Sequence, residues 1–166
     1  MNDKILIRKI TADDDAKIAF IIRSCLEEFS AVKPGTVYFD ETTDHLYNVF
    51  QTERSAYFIV EINGEVFGGA GIFPTESLPP KTCELVKMYL LSKARGKGIG
   101  KLLLQKCMEE ARNKGFEKMY LESMPELVNA IAMYEKNGFT FITKPLGNSG
   151  HTGCDVFMIK ELLHEL

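Results

Sequence analysis

The sequence predicts an α/β domain of the α+β kind, a central and mostly antiparallel mixed sheet of about seven strands flanked by about four helices. Three observations carry this. The apolar residues change period along the chain, giving the order β-α-(α)-β-β-β-α-β-α-β-β. Asn63-Gly64 stands between two β-rich runs and marks a tight hairpin, which pairs neighbouring strands antiparallel. A glycine-rich segment, Arg95 to Gly100, joins a strand to a helix.

Ile5 and Ile7 mark the first strand. Thr11 is a helix cap, with Asp13, Asp14 and Asp15 in the first turn where the helix dipole favours negative charge. Ile18, Ile22, Cys25 and Phe29 then follow along one helical face. Ser30 to Glu41, with Pro34 and Gly35, reads as loop, and Thr43 to Phe50 as a second, weaker helix. Ser55 to Ile62 and Val66 to Phe73 are the hairpin strands, and Pro74 to Pro80 is loop. Cys83 to Leu91 is the next strand. Gly98 to Lys114 is a helix with Ile99, Leu103, Cys107 and Ala111 in one stripe, stopped by Gly115. Lys118 to Glu122 is a strand. Glu126 to Lys136 is a helix ended by Asn137-Gly138. Phe139 to Thr143 and Asp155 to Ile159 are the last strands.

The 166 residues suit a single domain, residues 1–166. A net charge of -3 argues against nucleic acid as a partner, and no apolar run is long enough to span a membrane. The N-terminus lacks a secretory apolar core, so a cytoplasmic location is expected. Cys25, Cys83, Cys107 and Cys154 have no metal-type spacing, so no metal is expected and buried thiols are.

The chemistry concentrates at Arg95-Gly96-Lys97-Gly98-Ile99-Gly100-Lys101. Glycines here let backbone N–H groups converge on an anion, and the following helix adds the positive end of its dipole. The spacing departs from the P-loop, because three residues separate Gly96 from Gly100 and Leu102 follows Lys101. It also departs from the dinucleotide G-x-G-x-x-G pattern.

In context the segment resembles motif A of the GNAT acetyltransferases, Q/R-x-x-G-x-G/A, with Arg95, Gly98 and Gly100 matching. The run Asn129 to Phe139 resembles the family's motif B, N-x-x-A-x-x-x-Y-E-K-x-G-F. The resemblance implies a GNAT-like fold and acetyl-CoA as acetyl donor, its pyrophosphate held by Arg95 through Lys101. It implies a β-bulge in the preceding strand, with Met88, Tyr89 and Leu90 along the pantetheine arm and Asn129 touching it. It further implies an N-acetyltransferase with Tyr134 as the acid that protonates the leaving thiolate, and Glu84 as the candidate base.

A base is needed because a lysine-like amine is neutral in only about one molecule in 2,500 at pH 7, a penalty of roughly 4.6 kcal/mol. The expected acceptor is a primary amine of a small molecule or peptide. Its contacts are sought in two loops. Ser30 to Asp44 carries Tyr38, Phe39 and Asp40, and Lys144 to His151 carries the titratable His151. Exposed edge strands leave a homodimer open. The competing reading is a non-catalytic acyl-CoA sensor of the same fold, against which Glu84 and Tyr134 together weigh.

Overall fold

The structure, a computed structural model, describes residues 2–163. Seven strands form one sheet, in the order β1-β2-β3-β4-β5-β7-β6. They are β1 (Ile5–Lys9), β2 (Ala56–Ile62), β3 (Glu65–Phe73), β4 (Thr82–Leu90), β5 (Lys118–Ser123), β6 (Thr140–Ile142) and β7 (Val156–Glu161). All neighbours pair antiparallel except β4 and β5. Four α-helices accompany them: α1 (Asp15–Glu28), α2 (Leu46–Val49), α3 (Ile99–Asn113) and α4 (Val128–Lys136).

Each sheet face has its own core. On one side α3 lays Leu103, Leu104, Cys107 and Ala111 against Phe58, Val60, Ala70 and Ile72, with Tyr134 of α4 at the margin. On the other, α1 buries Ile18, Ile21, Ile22, Cys25 and Leu26 against Tyr57 and Ile59. Each such aliphatic side chain, fully buried, contributes about 1.5–3 kcal/mol. All four cysteines are free, and Cys25, Cys83 and Cys107 are buried.

The expected order of elements is present, with local departures. The acidic start of the first helix is a separate 3-10 turn, Ala12–Asp14. Asp14 is buried there and takes both terminal Arg8 guanidinium nitrogens at 2.8 Å, while Arg8 Nε donates to Glu61 at 2.8 Å. That aspartate therefore ties α1 to β1 and β2 rather than simply facing a helix dipole. Phe29 lies just past the end of α1. The second helix is shorter than its pattern suggested. His45, at φ −134° and ψ 41°, separates a 3-10 turn at Glu41–His45 from the single turn of α2. The last helix starts at Val128, because Leu127 at ψ 55° is not helical.

Two features of β4 position the site. Its parallel pairing with β5 covers only Thr82, Cys83 and Glu84; beyond Glu84 the strands part. Against β3 its register slips, with Gly71 opposite Val86 but Gly69 opposite Tyr89, so two residues of β4 face one of β3. This is a β-bulge. Lys87 takes a left-handed φ of 50° in it.

Candidate active site

The gap between β4 and β5 opens into a cleft of about 750 Å³. Its floor is β4, and its walls come from α4, the end of β5 and the loop before α3. One end is made largely of backbone. Gly96 and Gly98 have φ of 74° and 78°, a left-handed conformation that glycine adopts without steric cost. A Cβ at either position would meet no protein atom within 4 Å, so the cradle is open. From Gly96 to Lys101 no backbone amide donates to a described backbone carbonyl. Gly98 caps α3, so these free N–H groups stand at the positive end of its helix dipole, the setting an anion requires. The donor set suits a diphosphate.

The side chains of this loop divide their work. Ile99 is buried in the core, so only its amide faces the cradle. Arg95 turns inward, with Nε donating to the Leu90 carbonyl at 2.8 Å, one terminal nitrogen pairing with Glu28, and the guanidinium over the Phe29 ring at 4.8 Å. It fastens the loop to β4 and α1. Lys97 points to Asp3, 3.4 Å away on a different surface. Lys101 is exposed at the cleft. Gly100 packs under α4, where a Cβ would stand 3.1 Å from the Met133 sulfur. Met88, Tyr89, Leu90 and Asn129 line the cleft between the cradle and the chemistry.

The bulge is braced from two strands away. The Tyr57 hydroxyl, on β2, donates to the Lys87 carbonyl at 2.8 Å. Its ring crosses β3 to get there. A Cβ on Gly69 would lie 2.6 Å from that ring and one on Gly71 2.7 Å, so both positions must stay bare.

The other end is made of side chains. Glu84 is 3% exposed, and its Oε1 accepts from Thr75 Oγ1 at 2.6 Å. Burial pushes its carboxyl up to about 7, the Thr75 bond opposing and neighbouring Glu122 reinforcing the shift. Glu122 accepts from the Tyr120 hydroxyl at 2.6 Å and from Ser149. His151 Nε2 and Asp40 Oδ2 are 2.6 Å apart, a bond that joins the two loops suspected of holding the acceptor. That bond holds the Asp40 carboxyl below the usual range. Ligand-type atoms of Glu84, Glu122 and His151 lie within 4.8 Å of one another, each group already bonded as described. Tyr134 is buried in α4 against Phe139, yet it lines the cleft and its hydroxyl bonds to no described residue. Burial holds its proton well above the ordinary phenol range.

The structure thus brings Glu84, Tyr134 and His151 to one cleft, with Asp40 on His151. Tyr38 and Phe39 are elsewhere: the Tyr38 hydroxyl donates to Glu27 at 2.6 Å, and Phe39 is exposed against the Tyr38 ring. Sequence reasoning passes over Lys87, Glu122, Ser149 and Tyr57. Glu122 could be found, since it ends a strand parallel to the one carrying Glu84; the other three are set by the bulge and a loop.

A parallel pair of strands splayed over a cleft, with an anion cradle at the next helix, defines an acyltransferase of the acyl-CoA type. The profile of the acetyltransferase (GNAT) family matches residues 21–139. The chain is 42% identical to the Escherichia coli N-acetyltransferase YjgM, itself uncharacterized, over 95% of both chains. It is 30% identical to human N-acetyltransferase 8, over 67% of this chain and 52% of the human one. In fold it resembles a GNAT-family acetyltransferase from Staphylococcus aureus, with a TM-score of 0.85 at 19% identity, over 96% of this chain and all of the other. It also resembles yncA of Salmonella typhimurium, solved with acetyl-CoA, with a TM-score of 0.76 at 23% identity over 98% and 96%. The chain belongs to the GNAT acetyltransferase family.

Proposed function

We propose that the protein transfers an acetyl group from acetyl-CoA directly to a primary amine of a small molecule or peptide. The observation that carries this is the meeting, in one cleft, of a buried carboxyl poised near neutrality and an unpartnered phenol. A base works best when its pKa lies near the working pH, and Glu84 has been brought there by burial. Tyr134 keeps its proton at neutral pH and has it available to donate.

Acetyl-CoA supplies the acetyl group and the thiolate leaving group. The cradle from Arg95 to Lys101 holds the pyrophosphate through the free amides of Gly96 to Lys101, with Arg95 fastening the loop and Lys101 as the side-chain cation. Met88, Tyr89 and Leu90 lie along the arm where β4 has parted from β5, and one backbone N–H there polarises the acetyl carbonyl. Asn129 contacts the arm. Glu84 takes a proton from the acceptor as the C–N bond forms. Tyr134 returns one to sulfur as the C–S bond breaks, and the two side chains then re-equilibrate through solvent. His151 and Asp40 stand beside the acceptor end, and their bond holds the two loops over it.

The test is thiol release from acetyl-CoA against a panel of primary amines, with acetyl-CoA binding measured on the same samples. Release with some amine, lost in Tyr134→Phe while binding persists, is the expected result. Binding without release on any amine would turn the reading to a sensor.

A further inference from the structure

Lys87 is the inserted residue of the bulge. Cys83 and Leu85 face the α3 core, and so do Met88 and Leu90. The odd step from Leu85 to Met88 shows where the extra residue sits. In a regular strand Lys87 would share the buried face of Leu85. The bulge instead brings it to the cleft, where its ammonium feels the charges of Asp40 and Glu84. It does so at a positive φ, which a glycine would adopt at no cost and a lysine does not.

Around it, every acid already has a bond: Asp40 to His151, Glu84 to Thr75, and Glu122 to Tyr120 and Ser149. Lys87 makes no ion pair or side-chain hydrogen bond with any described residue. Burial accordingly works against its charged form. A half-buried cation without a partner is costly unless a ligand pairs with it. The diphosphate is not that ligand, since its cradle begins beyond Leu90, at the far end of the strand.

We infer that the acceptor is an amino acid, an amine that also carries a carboxylate, bound with its carboxylate on Lys87 and its amine at Glu84. This rests on the acetyl-transfer reading. A polyamine, or a lysine side chain within a protein, would bring only positive charge to Lys87 and leave it unpaired. An amino acid satisfies both ends at once: the ammonium meets the carboxyl that deprotonates it, and the carboxylate meets the free lysine. The 2.6 Å bond to His151 already engages Asp40 Oδ2, so Asp40 does not pair with Lys87.

Thiol release is measured with free α- and ω-amino acids, each against its own carboxamide, and with putrescine and a peptide N-terminus. Wild type, Lys87→Met and Lys87→Arg are compared. At least one free amino acid is expected to exceed its amide about tenfold or more in kcat/KM, mostly through KM, as an ion pair that forms on binding requires. Lys87→Met should erase that ratio, leave the KM for acetyl-CoA unchanged and show that the fold is intact, while Lys87→Arg restores part of it. Equal use of acid and amide, a ratio that survives in Lys87→Met, or turnover confined to amines without a carboxylate would overturn the assignment while acetyl transfer stands. Release with no amine, from protein that binds acetyl-CoA, would remove the acetyl-transfer reading and this one with it.

Discussion

The two ends of the cleft are built from different materials. The cradle end is backbone: left-handed glycines, free amides at the start of α3, and cations of which two turn away, Arg95 to Glu28 and Lys97 to Asp3. The other end, where the acceptor is proposed to bind, is side chain: Glu84 and Lys87 from β4, Glu122 from β5, and His151 from one loop with Asp40 bonded to it from another. Backbone donors are the same whichever side chains flank them, which suits a group that every reaction of the site would share. Side chains choose. On the proposed function, the difference puts constancy at one end of the cleft and selectivity at the other.

That contrast can be broken by substitution. The largest effect is expected from Tyr134→Phe, which removes the proposed acid and keeps the packing against Phe139. Turnover should fall about 10²–10⁴-fold with the KM for acetyl-CoA little changed. Steady-state kinetics with a working amine checks it, and a loss below about tenfold would mean that sulfur leaves without this proton.

Glu84→Gln should also cut turnover, by about 10²-fold or more, and its second signature is in stability. The carboxyl ionises near 4.5 in the unfolded chain and near 7 in the folded one. The unfolded state therefore gives up its proton first as pH rises, so the native protein loses stability between those values and stays lower above them. A glutamine in its place cannot ionise. The variant should match wild type near pH 4 and exceed it by about 3 kcal/mol at pH 8, because each tenfold difference in proton affinity corresponds to about 1.4 kcal/mol. Denaturant melts at the two pH values decide it, and a constant difference would contradict burial as the cause.

At the cradle, Gly98→Ala forces a side chain into a left-handed residue, at a cost of about 1–2 kcal/mol. With a loop relaxed out of that conformation in the free protein, binding has to restore it, and the KM for acetyl-CoA should rise up to about tenfold while the preference among amines holds. A changed amine preference would show that the two ends are not separable. The smallest effect belongs to Lys101→Gln, a few-fold rise in that KM that shrinks as salt is added, since an exposed cation contributes modestly.

How much was legible follows the same division. The cradle could be read from residues 95 to 101 because a glycine turn before a helix is a local pattern. Tyr134 and Glu84 could be placed by their motif and by their distance along one strand. The acceptor end could not, because it is made of contacts between segments far apart in sequence, such as Asp40 with His151. Tyr38, in the same loop as Asp40, instead has its hydroxyl bonded to Glu27 of α1. Lys87 was hidden by the bulge, which reverses the alternation on which a strand is read.

The Tyr57 brace has a consequence for descent. Its ring needs the empty surface of Gly69 and Gly71, and those glycines leave a hole in the sheet unless a ring fills it. A smaller residue at 57 would free the Lys87 carbonyl and open a void; an alanine at 69 or 71 would collide with the ring. The dependence runs one way: a Cβ at 69 or 71 would also stand 2.5 Å from the Phe58 carbonyl oxygen or 2.6 Å from that of Ala56, so the glycines are fixed whatever stands at 57. Across relatives the tyrosine is expected only where both glycines are kept, although all three sit behind the bulge and outside the cleft.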